Sequence, residues 1–98
     1  MKDQIESIIK HRTKDNPIYS AEIERRLEIA GTQVRDLIRE LRREGKPIAN
    51  SHKGYFWAAT YEEIKPTLTD LNSRAISLHE TISGLKKIFI EQSQLKLF

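Results

Sequence analysis

A mainly α-helical fold carrying one small β-hairpin is predicted by three observations. Apolar residues recur at helical spacing in the first forty-odd residues. A Gly-x-Pro break is followed by two short β-prone runs around a polar turn. A 3,4-spaced apolar stripe then continues almost to the end of the 98 residues. Three helices, a hairpin and a long C-terminal helix are therefore expected.

The first helix is expected over residues 2–12, where Ile5, Ile8 and Ile9 form one buried stripe. Pro17 biases Asn16 away from helix and leaves Ile18 and Tyr19 extended. Ser20 is placed to cap a second helix, with Glu22 favoured by the helix dipole in its first turn. Ile23, Leu27 and Ile29 supply that helix's inner face, and Gly31 is expected to turn the chain into a third helix.

The third helix, over residues 32–44, has two distinct sides. At about 100° per residue, Val34, Leu37, Ile38 and Leu41 line one side. Arg35, Arg39, Arg42 and Arg43 fall in one outward arc, with Asp36, Glu40 and Glu44 on its flank. A solvated surface face is the plain alternative, but the spacing puts like charges four apart at Arg35, Arg39 and Arg43, each pair costing a few tenths of a kcal/mol. A helix tuned only for its own stability would mix the signs. Grouped arginines suit a polyanion, because the guanidinium fork grips phosphate or a guanine edge bidentately.

Gly45 and Pro47 stop this helix. Ile48 and Ala49 read as a short strand, residues 50–54 as a polar turn, and Tyr55 to Ala58 as the returning strand. Asn50, Ser51, His52 and Lys53 offer short polar donors and a cation at the turn, suited to phosphate or the minor groove. Tyr55 and Trp57 share one face by period two, with Phe56 on the other. Their expected role is to pack the hairpin on the helices; contact of Tyr55 with nucleic acid is the alternative.

Taken together, SAEIERRLEI, VRDLIRELRREGKPI and KGYFWA resemble the winged helix-turn-helix at the N-terminus of biotin-protein-ligase repressors and in stand-alone bacterial and phage regulators. The resemblance covers residues 1–60 and rests most on Val34, Ile38, Leu41, Arg43, Gly45, Lys53, Gly54 and Tyr55. It implies that the third helix enters the major groove of double-stranded DNA while the hairpin, as the wing, rests on the adjacent backbone. The expected contact set is Thr32, Gln33, Arg35, Asp36, Arg39, Arg42, Arg43, Lys46, Ser51, His52, Lys53 and Tyr55. Ala30 departs from the Ser or Thr that members place there, so the cap of the third helix is expected from Thr32 or is weak.

Thr60 and Glu63 form a capping-box pattern that starts the long helix, and Pro66 is expected to kink or restart it. From Ile64, the residues Leu68, Leu71, Ala75, Leu78, Ile82, Leu85 and Phe89 alternate in steps of four and three, a heptad seam about 37 Å long at 1.5 Å per residue. That is longer than a sixty-residue domain readily covers, so residues 61–92 are expected to form a homodimer; packing on the chain's own N-terminal domain is the alternative. Residues 93–98 break the seam and are expected to leave the helix. Gln94, Leu95, Leu97 and Phe98 resemble the peptide by which bacterial replication proteins bind the sliding clamp, with Lys96 outside its pattern. An adaptor acting on that clamp is thus the alternative to a transcription or replication regulator.

Composition narrows the chemistry. Residues 1–60 hold 12 Lys and Arg against 9 Asp and Glu, whereas the remainder is balanced at 5 and 5, so the whole excess of +3 lies in the N-terminal part. The absence of Cys excludes disulfides and zinc fingers. His11, His52 and His79 lack ligand-spaced neighbours, and no phosphate loop or nucleophile motif occurs. The expectation is a non-enzyme with no cofactor, lying in the cytoplasm with the nucleoid.

Overall fold

A computed structural model describes residues 1–97, and the side chains of all of these but 88 and 91–97. Helices α1 (Lys2–Lys10), α2 (Ser20–Leu27) and α3 (Gly31–Arg43) precede strands β1 (Ile48–Ser51) and β2 (Gly54–Trp57), and α4 (Tyr61–Leu97) follows. The fold is thus mainly helical with one antiparallel two-stranded hairpin. Two compact units divide the chain, Met1–Thr67 and a second from Leu68 onward.

The first unit is built on an aliphatic core. Ile5 and Ile9 of α1, Ile18, Ile23 of α2, Val34, Ile38 and Leu41 of α3 and Ile48 of β1 are all closed to solvent. Leu37, Tyr55 and Trp57 pack against them half-buried. Tyr55 and Trp57 face this core while Phe56, on the opposite face of β2, joins Ala49, Ala58 and Ile64 in a second cluster. Both hairpin faces are thereby covered, which a two-stranded ribbon needs for independent stability.

Several boundaries differ from the sequence expectation, each for a local reason. Helix α1 stops at Lys10 rather than 12 because Arg12 is drawn out to the hairpin, its carbonyl accepting from the Trp57 N–H at 3.0 Å. Ser20 is the first residue of α2, not its cap: Tyr19 holds the cap position, and the Ser20 hydroxyl bonds Glu24 at 3.0 Å. The turn between α2 and α3 is made by Glu28 in the left-handed region at φ 56°, not by Gly31. Gly31 opens α3, where an added Cβ would press the Glu24 carboxylate at 3.3 Å. Thr32 is not the cap of α3; that position is Ala30, whose N–H donates to the Gln33 side chain at 3.0 Å.

The end of α3 follows expectation, with Gly45 at φ 90° and paired bonds from the Gly45 N–H to the Arg42 carbonyl and from the Lys46 N–H to the Leu41 carbonyl. The hairpin turn is tighter than residues 50–54. Asn50 pairs with Tyr55 and Ser51 with Gly54, leaving only His52 and Lys53 at the tip. Ile18 forms a third, one-residue rung, exchanging 2.8 Å bonds in both directions with Tyr55. That close crossing requires glycine at 54, since a Cβ there would lie 2.3 Å from the Ile18 carbonyl oxygen.

The first unit extends beyond residue 60 into α4. The Glu63 N–H bonds the Thr60 hydroxyl at 3.3 Å while the Glu63 carboxylate accepts from the Ala59 N–H at 2.9 Å, a capping box shifted by one residue on its return arm. Thr67, a buried polar residue, accepts the Asn50 N–H at 3.1 Å and so closes the outer edge of β1. Pro66 lies inside α4 and does not restart it. The helix runs through Leu97 instead of ending at 92. No Pro or Gly follows Gly84 to end it, and Gln, Leu and Lys are all good helix formers.

Candidate nucleic-acid interface

The two sides of α3 separate in space as its periodicity requires. Val34, Ile38 and Leu41 are in the core, whereas Thr32, Arg35, Asp36, Arg39, Glu40 and Arg43 are exposed. Because α3 is bounded by the Ala30 cap and the Gly45 stop, its thirteen residues present Arg35, Arg39 and Arg43 on one outer strip, one turn apart.

The cations of the expected contact set fall into three conditions. Arg35 and Arg43 on α3 and the Lys53 ammonium at the hairpin tip have no acidic partner within ion-pair distance among the described residues. Arg39 pairs with Asp36 one turn earlier, Nη1 to Oδ1 at 3.0 Å, with both side chains well exposed. Such a surface pair is worth at most about 1 kcal/mol and is readily exchanged for another anion.

Arg42 and Lys46 are engaged with the protein. The Arg42 Nε donates to the Ile48 carbonyl at 2.8 Å, and its Nη2 donates to the Asn50 Oδ1 at 2.9 Å. This half-buried guanidinium therefore bridges the last turn of α3 to β1. Lys46 lies 3.5 Å from Glu6 of α1. Beside it, Lys2 of α1 bonds Glu44 in a contact that holds the ammonium above its usual 10.5, a rise owed first to that hydrogen bond and opposed by burial. Two ion pairs, Lys2 with Glu44 and Glu6 with Lys46, thus join α1 to the segment that ends α3.

The remaining members are placed as follows. Gln33 is exposed but its Oε1 is spent on the Ala30 N–H. The Ser51 hydroxyl accepts the Lys53 N–H at 3.2 Å and shapes the turn, while His52 is exposed at the tip. Tyr55 is half-buried against the core. Asn50, a polar donor of the turn by sequence, instead accepts from Arg42, and Thr67 enters the site's framework with no sequence motif pointing to it. The short connection of residues 45–47 was the available signal, since it forces the last turn of α3 against the strand holding Asn50.

In the second unit, Leu68, Leu71, Ala75, Leu78, Ile82, Leu85 and Phe89 are all exposed along α4, as are Ile76 and Ile90 beside the seam. Asp70 and Arg74 pair along the helix at 2.8 Å. The side chains of Gln94, Leu95 and Leu97, and the whole of Phe98, lie outside the described residues. Among the described residues no cluster of His, Cys, Asp and Glu could hold a metal ion, and no helix is long and apolar enough to cross a membrane. No protein-family model, no curated protein and no solved structure matches the chain.

Proposed function

We propose that residues 1–67 are a winged helix-turn-helix head that binds double-stranded DNA, with α3 in the major groove and the hairpin tip on the neighbouring backbone. One observation carries the reading: α3 packs one side into the core and offers Arg35, Arg39 and Arg43 in a single outward strip, while Arg42 and Lys46 beside that strip are engaged with the protein itself. Arg35, Arg43 and Lys53 make the phosphate contacts. Arg39 joins them by giving up Asp36, and Thr32 and Asp36 lie beside base edges. In this reading Arg42 positions the wing against the recognition helix, and Lys46 steadies α1. The setting is the nucleoid of a bacterium or the DNA of a phage.

The test is a titration of labelled duplex with the intact protein at low ionic strength, repeated as salt is raised. Binding that weakens steeply with salt, and that weakens further in the Arg39→Ala, Arg43→Ala double variant, is expected. Absence of duplex binding at low salt rejects the proposal.

A further inference from the structure

The exposed seam of α4 has an internal symmetry that a bare count of heptads does not show. Its residues alternate between a positions (Leu68, Ala75, Ile82, Phe89) and d positions (Leu71, Leu78, Leu85). Ile64, one step earlier, is already packed on Phe56 and Ala49 of the hairpin, so the seam open to another molecule begins in the second unit. There the large side chains stay mostly in water: Leu78 is 64% exposed, Leu85 61% and Phe89 67%. Apolar exposure in an unbroken row of this length marks an association surface.

Two copies aligned in parallel would stack each residue on itself. That puts Ala75 on Ala75, an under-filled layer, and Phe89 on Phe89, an over-filled one. Close-packed interiors tolerate neither well. Reversing one helix places each a residue opposite a d residue of the other copy. With the two-fold axis at residue 80, the layers become Leu71 with Phe89, Ala75 with Leu85, and Leu78 with Ile82, each occurring twice. The smallest side chain then meets a leucine, every layer is apolar, and layer volumes are far more even. No residue needed by the first unit is used.

We infer that the second unit is an antiparallel two-helix interface with a second copy of this chain, centred on residue 80 and spanning Leu71 to Phe89. The seam is self-complementary in that register, which identifies the occupant as the chain itself. The interface is independent of DNA.

The chain has no Cys, so engineered thiols report the register directly. In the antiparallel arrangement residue 75 of one copy is level with residue 85 of the other and about 15 Å along the axis from its own counterpart, too far for a disulfide. Full-length Ala75→Cys and Leu85→Cys proteins, refolded together without DNA and oxidised, are expected to give a mixed disulfide dimer, whereas Ala75→Cys alone gives none. Light scattering of the unsubstituted protein at micromolar concentration is expected to give the mass of a dimer. Ile82→Asp, which buries a charge at the central layer and leaves the first unit's core untouched, is expected to raise the dissociation constant about 100-fold or more. A monomeric mass, a mass above two chains, or cross-linking of Ala75→Cys with itself overturns the inference.

Discussion

Arg42 and Arg43 are neighbours in sequence, yet their surroundings assign them opposite consequences. Replacing Arg42 with Ala removes two charge-assisted bonds, to the Ile48 carbonyl and the Asn50 side chain, that tie α3 to β1. The site is only half-buried and water can replace part of the loss, so a destabilisation of about 1.5–3 kcal/mol is expected rather than the sum of two such bonds. For a unit of this size that lowers the melting temperature by roughly 6–24 °C. Arg43 has no protein partner among the described residues, so Arg43→Ala is expected to change stability by less than about 0.5 kcal/mol. Under the proposed function its effect falls on DNA binding. Three unpaired cations give a slope of about −2.7 in log affinity against log salt, or about −3.6 with Arg39, corresponding to an affinity loss of roughly 40- to 150-fold between about 50 and 200 mM. Losing Arg43 is expected to flatten that slope by about 0.9. Calorimetry of both variants and salt-dependent anisotropy of Arg43→Ala check the pair. An Arg42→Ala protein melting like the unsubstituted one, or an Arg43→Ala protein that melts early and keeps the full salt slope, refutes the division of roles.

The other expectations concern the frame that holds the site. Gly54→Ala meets the Ile18 carbonyl at 2.3 Å and is expected to cost about 3 kcal/mol or more, whereas Gly45→Ala, with open space around it and only its φ of 90° against it, costs about 1 kcal/mol; urea unfolding separates them. Thr67→Val leaves the Asn50 N–H without its acceptor and is expected to destabilise the first unit by about 1–3 kcal/mol, read in the same assay. The Lys2 ammonium is held above its usual value, so its contribution is complete below about pH 10.5 and fades as pH rises through the raised pKa. The difference in melting temperature between Lys2→Met and the unsubstituted protein is therefore expected to be constant near neutrality and to narrow in strong alkali.

Much of the architecture was legible because single patterns decide it. Period 3.6 located Val34, Ile38 and Leu41 in the core, period two separated Tyr55 and Trp57 from Phe56, and Gly45 ended α3 through its positive φ. What escaped the sequence was set by contacts between distant segments. The Arg12 carbonyl is claimed by Trp57, which ends α1 early, and the pairing of Ile18 with Tyr55 is invisible to any local window. Glu28 takes the left-handed turn although Gly31 stands three residues away, and Gly31 instead opens α3 beside the Glu24 carboxylate. Helical periodicity places the arginine strip by angle alone. Angle cannot tell an arginine that faces water from one whose fork reaches a neighbouring strand, so it groups Arg42 with Arg35 and Arg43. The tail beyond residue 92 was expected to leave the helix because its heptad fails. A broken seam removes a partner's footing without removing helix propensity, and α4 continues to Leu97.

The position of the first unit's boundary within α4 has a practical meaning for dissecting the molecule. A fragment ended at residue 60, where the hairpin's last turn invites a cut, strips Ile64 from Phe56 and Ala49 and opens the outer edge of β1 that Thr67 covers. An uncovered strand edge recruits other chains. Such a fragment is expected to clump, and an insoluble product would be misread as evidence that the head cannot fold by itself. Cut after the second turn of α4, the same head keeps both its lid and its edge cover. Residues 61–67 thus belong to the hairpin's architecture before they belong to the helix that carries them.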